Sequence, residues 1–535
     1  MRDSHYLIIL LVVTLFLFLF GLGNMALTDP DETFYAQTSR EMLNAGEWVT
    51  PTIFGKPQFE KPVLYYLLVV ISYMVFGVSE FAARFPSAIF GIIGILGVYF
   101  LGRLLFSSFC GFLSGLVMAT CVQYVVLAKA CVTDMVLNVF ILFCMFFFLA
   151  GWTGGKKINF FIASVIAALA VLTKGPIGLF IPGLTIFLYI LFSRQWGGLK
   201  KVPVIWCILI FIAVSLPWYL IVNHIHGEAF TNEFFGLHNV TRFLKPEHRI
   251  GSSPFFYIPV VLGGFFPWTI FLLFGTWDMW KDKTGSRIRA CKAFLLIWFL
   301  AVFLFFSASS TKLVTYILPL FPVMAIVTGR YWERFIVAGN ADKGIRGSMR
   351  AAYYIFIVVS ILAAVGTVIL VNHEYPGTEA VKGAIIGISV FLAGAVISLV
   401  FLLRGGRTSC FNTIIVAMLI SSFPVIMYIL PVVDVFETSK PLCAKVKELA
   451  KDSEPVGGES DHRRGIAFYM DRTEVVDIHP YQDLKKFVSR QDRVWGIIQV
   501  KHYQQLKNAM PDKVSEPLFQ SGKYVVITNK PLRRK

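Results

Sequence analysis

The chain has 535 residues, of which 56% are hydrophobic and only 15% charged, against roughly 25% charged in soluble domains. Its mean hydropathy of +0.69 and its 51 phenylalanines exclude a water-soluble protein, whose interior could not hide so much apolar surface. A net charge of +17 in so uncharged a chain has three readings, namely nucleic acid, cytoplasmic membrane loops, or a site for an anion, and the position of the charges separates them.

In chain order, with a window of about 19 residues, the apolar runs are 6–22, 88–106, 111–127, 135–150, 158–172, 177–192, 202–222, 255–274, 291–306, 313–329, 352–371, 384–403 and 411–430. They predict about thirteen transmembrane helices. No small-residue cleavage site follows the first run, which reads as an uncleaved helix. Runs 158–172 and 177–192 are short for full crossings, and removing both would leave the parity unchanged. A further run, 63–76, is about 14 residues, roughly 21 Å of helix against a hydrocarbon core of about 30 Å. It suits a re-entrant or juxtamembrane helix.

Loop charge tests this arrangement. With a cytoplasmic N-terminus and no crossing by 63–76, the inside loops collect Arg103, Lys156, Lys157, Arg194, Lys200 and Lys201. They also hold Lys281, Arg287, Arg330, Arg334, Arg404 and Arg407. A crossing by 63–76 would turn all of these outward, against the positive-inside rule. An odd number of crossings then places the C-terminal tail outside. Its composition changes to that of a soluble domain: 437–451 and 502–510 read as helices, 465–470, 474–478, 494–500 and 524–528 as strands, and the Gly/Ser patch 454–460 as a loop. This predicts a small α/β module. The division is a membrane domain, 1–431, whose first outer loop is 25–85, and a soluble domain, 432–535. The tail after Leu430 holds 19 basic and 14 acidic residues, so most of the excess charge lies in the membrane portion, much of it as orientation charge. Nucleic acid is not needed to explain it. The eight cysteines form no CxxC pair and predict neither a disulfide framework nor a zinc site.

Positive charge on the outer side runs against the orientation bias, so the outer segments are the informative ones. The first reads TDPDETFYAQTSREMLNAGEWVTP and then GKPQFEKP. Asp29 suits a helix N-cap, Pro30 the first turn, and Asp31 and Glu32 the positive helix end. The same acidic pair, with Tyr35 one turn along, is a candidate general base at the bilayer surface. Lys61, preceded by Glu60, sits at the depth of phosphate headgroups, either snorkelling or binding phosphate. KACVTDM puts Asp134 at an outer helix end, and LTKGPIG puts Lys174 at another. In SSTKLVTYILPLFP, Lys312 and Tyr316 share one helical face, as interface anchors or as site residues. The second long loop holds NHIHGEAF and HNVTRFLKPEHR. No second cluster completes the His224–His226 pair as a metal site. Arg242, Lys245 and Arg249 read as an anion-facing set, with Arg242 foremost because Arg forks onto phosphate oxygens. His238 in the same loop is a further candidate contact.

The blocks DExxYAxxxREMLxxGxWVTP, FEKPxLxYxL, FAARFPSA, TDMxL, LTKGPIGL and KLxxYxLPLFP follow one another in this order. Together they resemble the polyprenol-phosphate-dependent glycosyltransferases of the GT-C class, in particular the lipid A aminoarabinose (ArnT-like) transferases, kin to protein O-mannosyltransferases. The resemblance covers most of the chain. It implies an α-helical polytopic membrane protein with juxtamembrane helices in the first outer loop and an extracytoplasmic C-terminal domain. It further implies inverting transfer of a sugar from an undecaprenyl-phosphate donor to a periplasmic acceptor such as lipid A, at the bacterial inner membrane. By position, Asp31 is the essential loop carboxylate, Lys61 the lysine that touches the lipid phosphate, and Tyr35 and Tyr316 tyrosines of the phosphate pocket. Arg242 matches the second-loop arginine, and Asp134 and Lys174 fall in recurring blocks. Two positions depart: Phe34 stands where aminoarabinose transferases usually have Arg, and Gln58 where they often have Tyr. Both neighbour the donor phosphate, so 4-amino-4-deoxy-L-arabinose and related sugars stay open as the donor. Some related enzymes use a divalent metal, but this sequence supplies no committed ligand set, and no cofactor is assigned. Two other classes compete. A secondary transporter should carry ionisable residues near the bilayer midplane in broken helices, whereas these cluster at one outer face. A non-catalytic polyprenyl-lipid-binding protein leaves the Asp31–Glu32 pair without a reason.

Overall fold

The computed structural model describes residues 2–234, 236, 253–282, 285–338 and 342–530. Among the described residues, nine helices are long and apolar enough to cross a membrane, from Glu80–Leu105 to Arg407–Glu437, and two bent pairs bring the number to eleven. The other two apolar runs expected to cross form the helices Arg2–Leu19, of 18 residues, and Ile177–Ser193, of 17. Length and composition by themselves therefore qualify nine to eleven crossings where the sequence reading counts thirteen. The protein is a multi-pass membrane protein.

The runs 111–127 and 255–274 each form a pair of helices bent at a break, where the sequence reads as one straight span. Ser108–Ala119 and Val122–Ala128 meet at 72°, and Tyr257–Gly264 and Thr269–Lys281 at 103°. In an apolar medium a broken helix must satisfy its freed backbone groups internally, and these two breaks meet through one backbone and one side-chain bond. Val122 N–H donates to the Phe266 carbonyl at 3.1 Å, and Trp268 Nε1 donates to Thr120 Oγ1 at 2.9 Å. Hydropathy windows register both halves of each pair as one run, because a bend changes no side chain.

The first outer loop contains two helices. Asp31–Ala45 is closed by Gly46 at φ 65°, whose left-handed backbone lets its N–H return to the Leu43 carbonyl. Its N-terminus has no side-chain cap, because Asp29, expected to supply one, is engaged elsewhere. Leu64–Phe76, of 13 residues, is too short to span the hydrocarbon layer, as its sequence predicts. It buries Tyr65, Tyr66, Val69 and Tyr73 against Phe34, Tyr35 and Met42 of the loop helix.

The tail forms a five-stranded mixed sheet in the order Val476–Asp477, Val456–Gly458, Trp495–Gln499, Tyr524–Thr528, Phe519–Ser521. The first two pairings are parallel and the last two antiparallel. Leu442, Ile466, Trp495 and Val526 belong to one of its cores, and Leu484, Phe487, Ile498 and Ile527 to the other. The α/β class of this module is as expected, but two elements are exchanged. The expected strand 465–470 is the helix Ser460–Met470, and the expected loop 454–460 contains the buried strand Val456–Gly458. Both errors have a physical cause. A six-residue apolar run has too few turns to reveal its period. The strand is glycine-rich because a Cβ at Gly458 would lie 2.3 Å from Ile466 Cδ1, and one at Gly457 2.9 Å from Phe487.

Candidate functional site

Two adjacent carboxylates open the loop helix, and successive helical residues point about 100° apart, so they serve different surroundings. Glu32 is buried and accepts from Arg84, Nε to Oε1 at 2.8 Å and Nη2 to Oε2 at 2.7 Å. It also accepts from Cys131 N at 2.7 Å and from Thr28 N and Oγ1 at 3.0 Å each. Arg84 places its remaining donors on the carbonyls of Leu22, Met25 and Ala26. Burial works against the charge, but Arg84 and the surrounding donors hold the Glu32 carboxyl below the usual range. With its lone pairs filled, Glu32 has none to offer a substrate. The expectation of a catalytic Glu32 becomes that of a brace tying the loop helix to Glu80–Leu105.

Asp31 remains open to solvent along one side while protein crowds the others. That crowding is the largest influence and raises its pKa. The Arg464 guanidinium opposes the rise, Asp134 and Glu60 add to it, and Lys174 opposes it. Those four neighbours come from four separate parts of the chain, so Asp31 is the point at which the candidate residues converge.

Glu60 and Lys61 lie just before Leu64–Phe76. Lys61 Nζ donates to the Glu60 carbonyl at 3.2 Å and lies 3.7 Å from Glu60 Oε1. Lys174, the last residue of Lys157–Lys174, pairs with Asp134 Oδ1 at 2.7 Å, and both side chains are nearly buried. The same ammonium lies 4.7 Å over the Tyr316 ring, an arrangement that strengthens as water is excluded. Tyr35 is buried against the rings of Phe34, Tyr65 and Tyr66. Burial pushes its hydroxyl well above the ordinary range, and Tyr66 and Glu60 add to that. Gln58 donates to the Tyr66 hydroxyl at 2.9 Å, so the departure at position 58 is built into the same aromatic wall. An apolar groove of about 630 Å³ is lined by Val171 and Pro176, which flank Lys174 in sequence, and by Phe180, Phe211, Leu216 and Tyr219.

The structure thus gathers Asp31, Glu60, Lys61, Asp134, Lys174, Tyr35 and Tyr316. Lys312 is buried and donates to the Ser309 carbonyl at 2.6 Å within its own turn, which gives it a structural bond of its own. Arg242 and His238 lie outside the described residues. His226 Nε2 is 3.0 Å from Thr50 Oγ1 and its ring packs on Phe59. Sequence reasoning missed Arg84 and Arg464. A charged residue inside an otherwise apolar helix demands a partner, and that signal could have found Arg84. Nothing local to Arg464 points to the first loop.

A family model described as dolichyl-phosphate-mannose-protein mannosyltransferase matches residues 60–221. An Enterobacter sp. (strain 638) protein named undecaprenyl phosphate-alpha-4-amino-4-deoxy-L-arabinose arabinosyl transferase is 29% identical over 386 residues, 70% of this chain and 68% of the relative. A Shewanella sediminis protein of the same name is 31% identical, over 67% of this chain and 66% of the relative. The crystal structure of ArnT from Cupriavidus metallidurans bound to undecaprenyl phosphate superimposes with a TM-score of 0.82 at 21% identity, covering 98% of both chains. The chain thus has the fold of ArnT over nearly its whole length and is similar in sequence to the aminoarabinose transferases over about two thirds of it.

Proposed function

We propose that the protein is an inverting membrane glycosyltransferase that moves a sugar from an undecaprenyl-phosphate donor to an acceptor at the periplasmic face of the bacterial inner membrane. The observation that carries this reading is Asp31 itself, a solvent-reachable carboxylate with a raised pKa, set among Glu60, Asp134, Lys174 and Arg464, in a chain that also has an apolar groove lined by residues on either side of Lys174 in sequence. Sugar transfer from a lipid-phosphate donor needs this combination. The groove takes the polyprenyl chain. Lys61, Lys174 and Tyr316, with Arg242 from the second loop, take the phosphate and stabilise its charge as the C1–O bond breaks. The sugar passes through an oxocarbenium-like state. Asp31 orients the acceptor or accepts its proton, the acceptor oxygen bonds to C1 from the opposite face, and undecaprenyl phosphate leaves. 4-Amino-4-deoxy-L-arabinose and lipid A are the donor sugar and acceptor that the named relatives favour. The soluble domain, 432–535, faces the periplasm with the site.

Asp31→Asn tests the assignment. Transfer, measured with a polyprenyl-phosphate sugar and lipid A, should fall by about 10²- to 10⁴-fold, while undecaprenyl phosphate still binds to within a few-fold. Full activity in this variant would remove Asp31 from the reaction.

A further inference from the structure

The C-terminal domain meets the first outer loop through Asp434, Ser439 and Lys440 and through the helix Ser460–Met470, and successive residues of that helix have distinct contacts. His462 Nδ1 lies 2.9 Å from Asp29 Oδ2. At Gly465 the side-chain oxygens of Asp29 and Ser439 lie so close that a Cβ would stand 2.3 Å from Asp29 Oδ1 and 2.1 Å from Ser439 Oγ. Arg463 turns to the Phe54 ring, 3.7 Å away, and donates to the Val475 carbonyl. Arg464 turns to the site. Its guanidinium carbon lies 4.5 Å over the ring of Phe34, one turn along the loop helix from Asp31, and its charge is felt by both Asp31 and Tyr66.

Stacking on an aromatic face uses none of the five N–H donors of a guanidinium. Lys61 and Lys174 each lie within 4 Å of a carboxylate, whereas Arg464 forms no such ion pair among the described residues. Charge balance points the same way. The described cluster holds three carboxylates, Asp31, Glu60 and Asp134, against the two lysines. Without Arg464 it would present net negative charge to an anion.

We propose that Arg464 is a phosphate-contacting residue of this site, carried in by the C-terminal domain and held against Phe34 with its N–H edge free for phosphate oxygens. The inference rests on the glycosyltransferase reading and adds a residue to it from outside the membrane domain. The phosphate is that of the donor lipid or that of an anionic acceptor, and the measurement separates the two.

The experiment uses the full chain in lipid nanodiscs, with undecaprenyl phosphate and the uncharged undecaprenol as probes and lipid A as acceptor. Arg464→Ala should melt at the parent's temperature, bind undecaprenyl phosphate roughly 10- to 100-fold more weakly, and bind undecaprenol unchanged. Arg464→Lys should recover only part of the loss, because an ammonium restores charge without the stacked fork. If undecaprenyl phosphate affinity is unchanged and the KM for lipid A rises by that factor, the contacted phosphate is the acceptor's and the proposal stands with that source. Unchanged affinity together with unchanged KM overturns it. So does a lowered melting temperature with equal loss of both lipids, which marks a purely structural arginine. A parent chain that binds neither lipid overturns the functional reading and this inference with it.

Discussion

At the scale of single residues, the two neighbours Asp31 and Glu32 show how surroundings separate identical chemistry. Glu32 is held ionised by Arg84 and closed to solvent, whereas Asp31 is raised and open. A base works only when ionised, so transfer should decline as pH falls through the Asp31 pKa, at higher pH than an ordinary carboxylate would give. Arg464 is the largest charge favouring the ionised form, so Arg464→Ala should move this acid limb to higher pH. The opposing groups Asp134 and Glu60 stay in place, and so does Lys174, which weakly supports ionisation. The pH dependence of kcat for the two proteins checks it, and coincident acid limbs would contradict the arrangement. Lys61→Ala should weaken undecaprenyl phosphate binding about tenfold, read by the same nanodisc titration.

At the scale of elements, the first outer loop is fixed by buried polar bonds at two points. One is the Glu32–Arg84 pair, whose side chains are both 5% exposed. Removing one member of a buried pair leaves an uncompensated charge and costs about 3–5 kcal/mol. Arg84→Met should therefore lower the melting temperature markedly, while the double variant with Glu32→Met should recover part of the loss. The other is Asp29, which accepts from Thr33, Ser439 and His462 and joins loop to tail. Gly465→Ala should disturb that junction, since its Cβ has no room, and should expose the tail to protease without changing the membrane helices. Resistance equal to the parent would show that the junction adjusts.

At the scale of the whole molecule, the proposed orientation has Lys200 on the cytoplasmic side and the tail on the other, as the positive-inside rule expects. Seven of the eight cysteines are buried and Cys207 is partly so, which suits thiol labelling. With an impermeant maleimide on spheroplasts, Asp452→Cys should label and Lys200→Cys should label only after the membrane is opened. The reverse pattern would invert the topology and remove the periplasmic assignment.

Much of this architecture was legible in the residues. Run length and hydropathy point to the segments long and apolar enough to lie in lipid, because transfer of a helix into hydrocarbon follows its composition, and loop charge carries the proposed orientation. Lys61 and Lys174 stood out because positive charge on the proposed outer side runs against the orientation bias, and the acidic pair, Asp134 and Tyr316 stood out as polar residues in the same outer segments. Three things were decided by tertiary structure. Bends such as that at 119–122 depend on partners elsewhere, here the Phe266 carbonyl. The roles of Asp31 and Glu32 depend on which of them meets Arg84. The approach of Arg464 depends on a domain docked through Asp29 and His462, 433 positions apart, and a linear pattern contains no distance of that kind. Hydropathy is additive along the chain and can be read from it. The electrostatics of a site depend on separations in space, which only the folded chain sets.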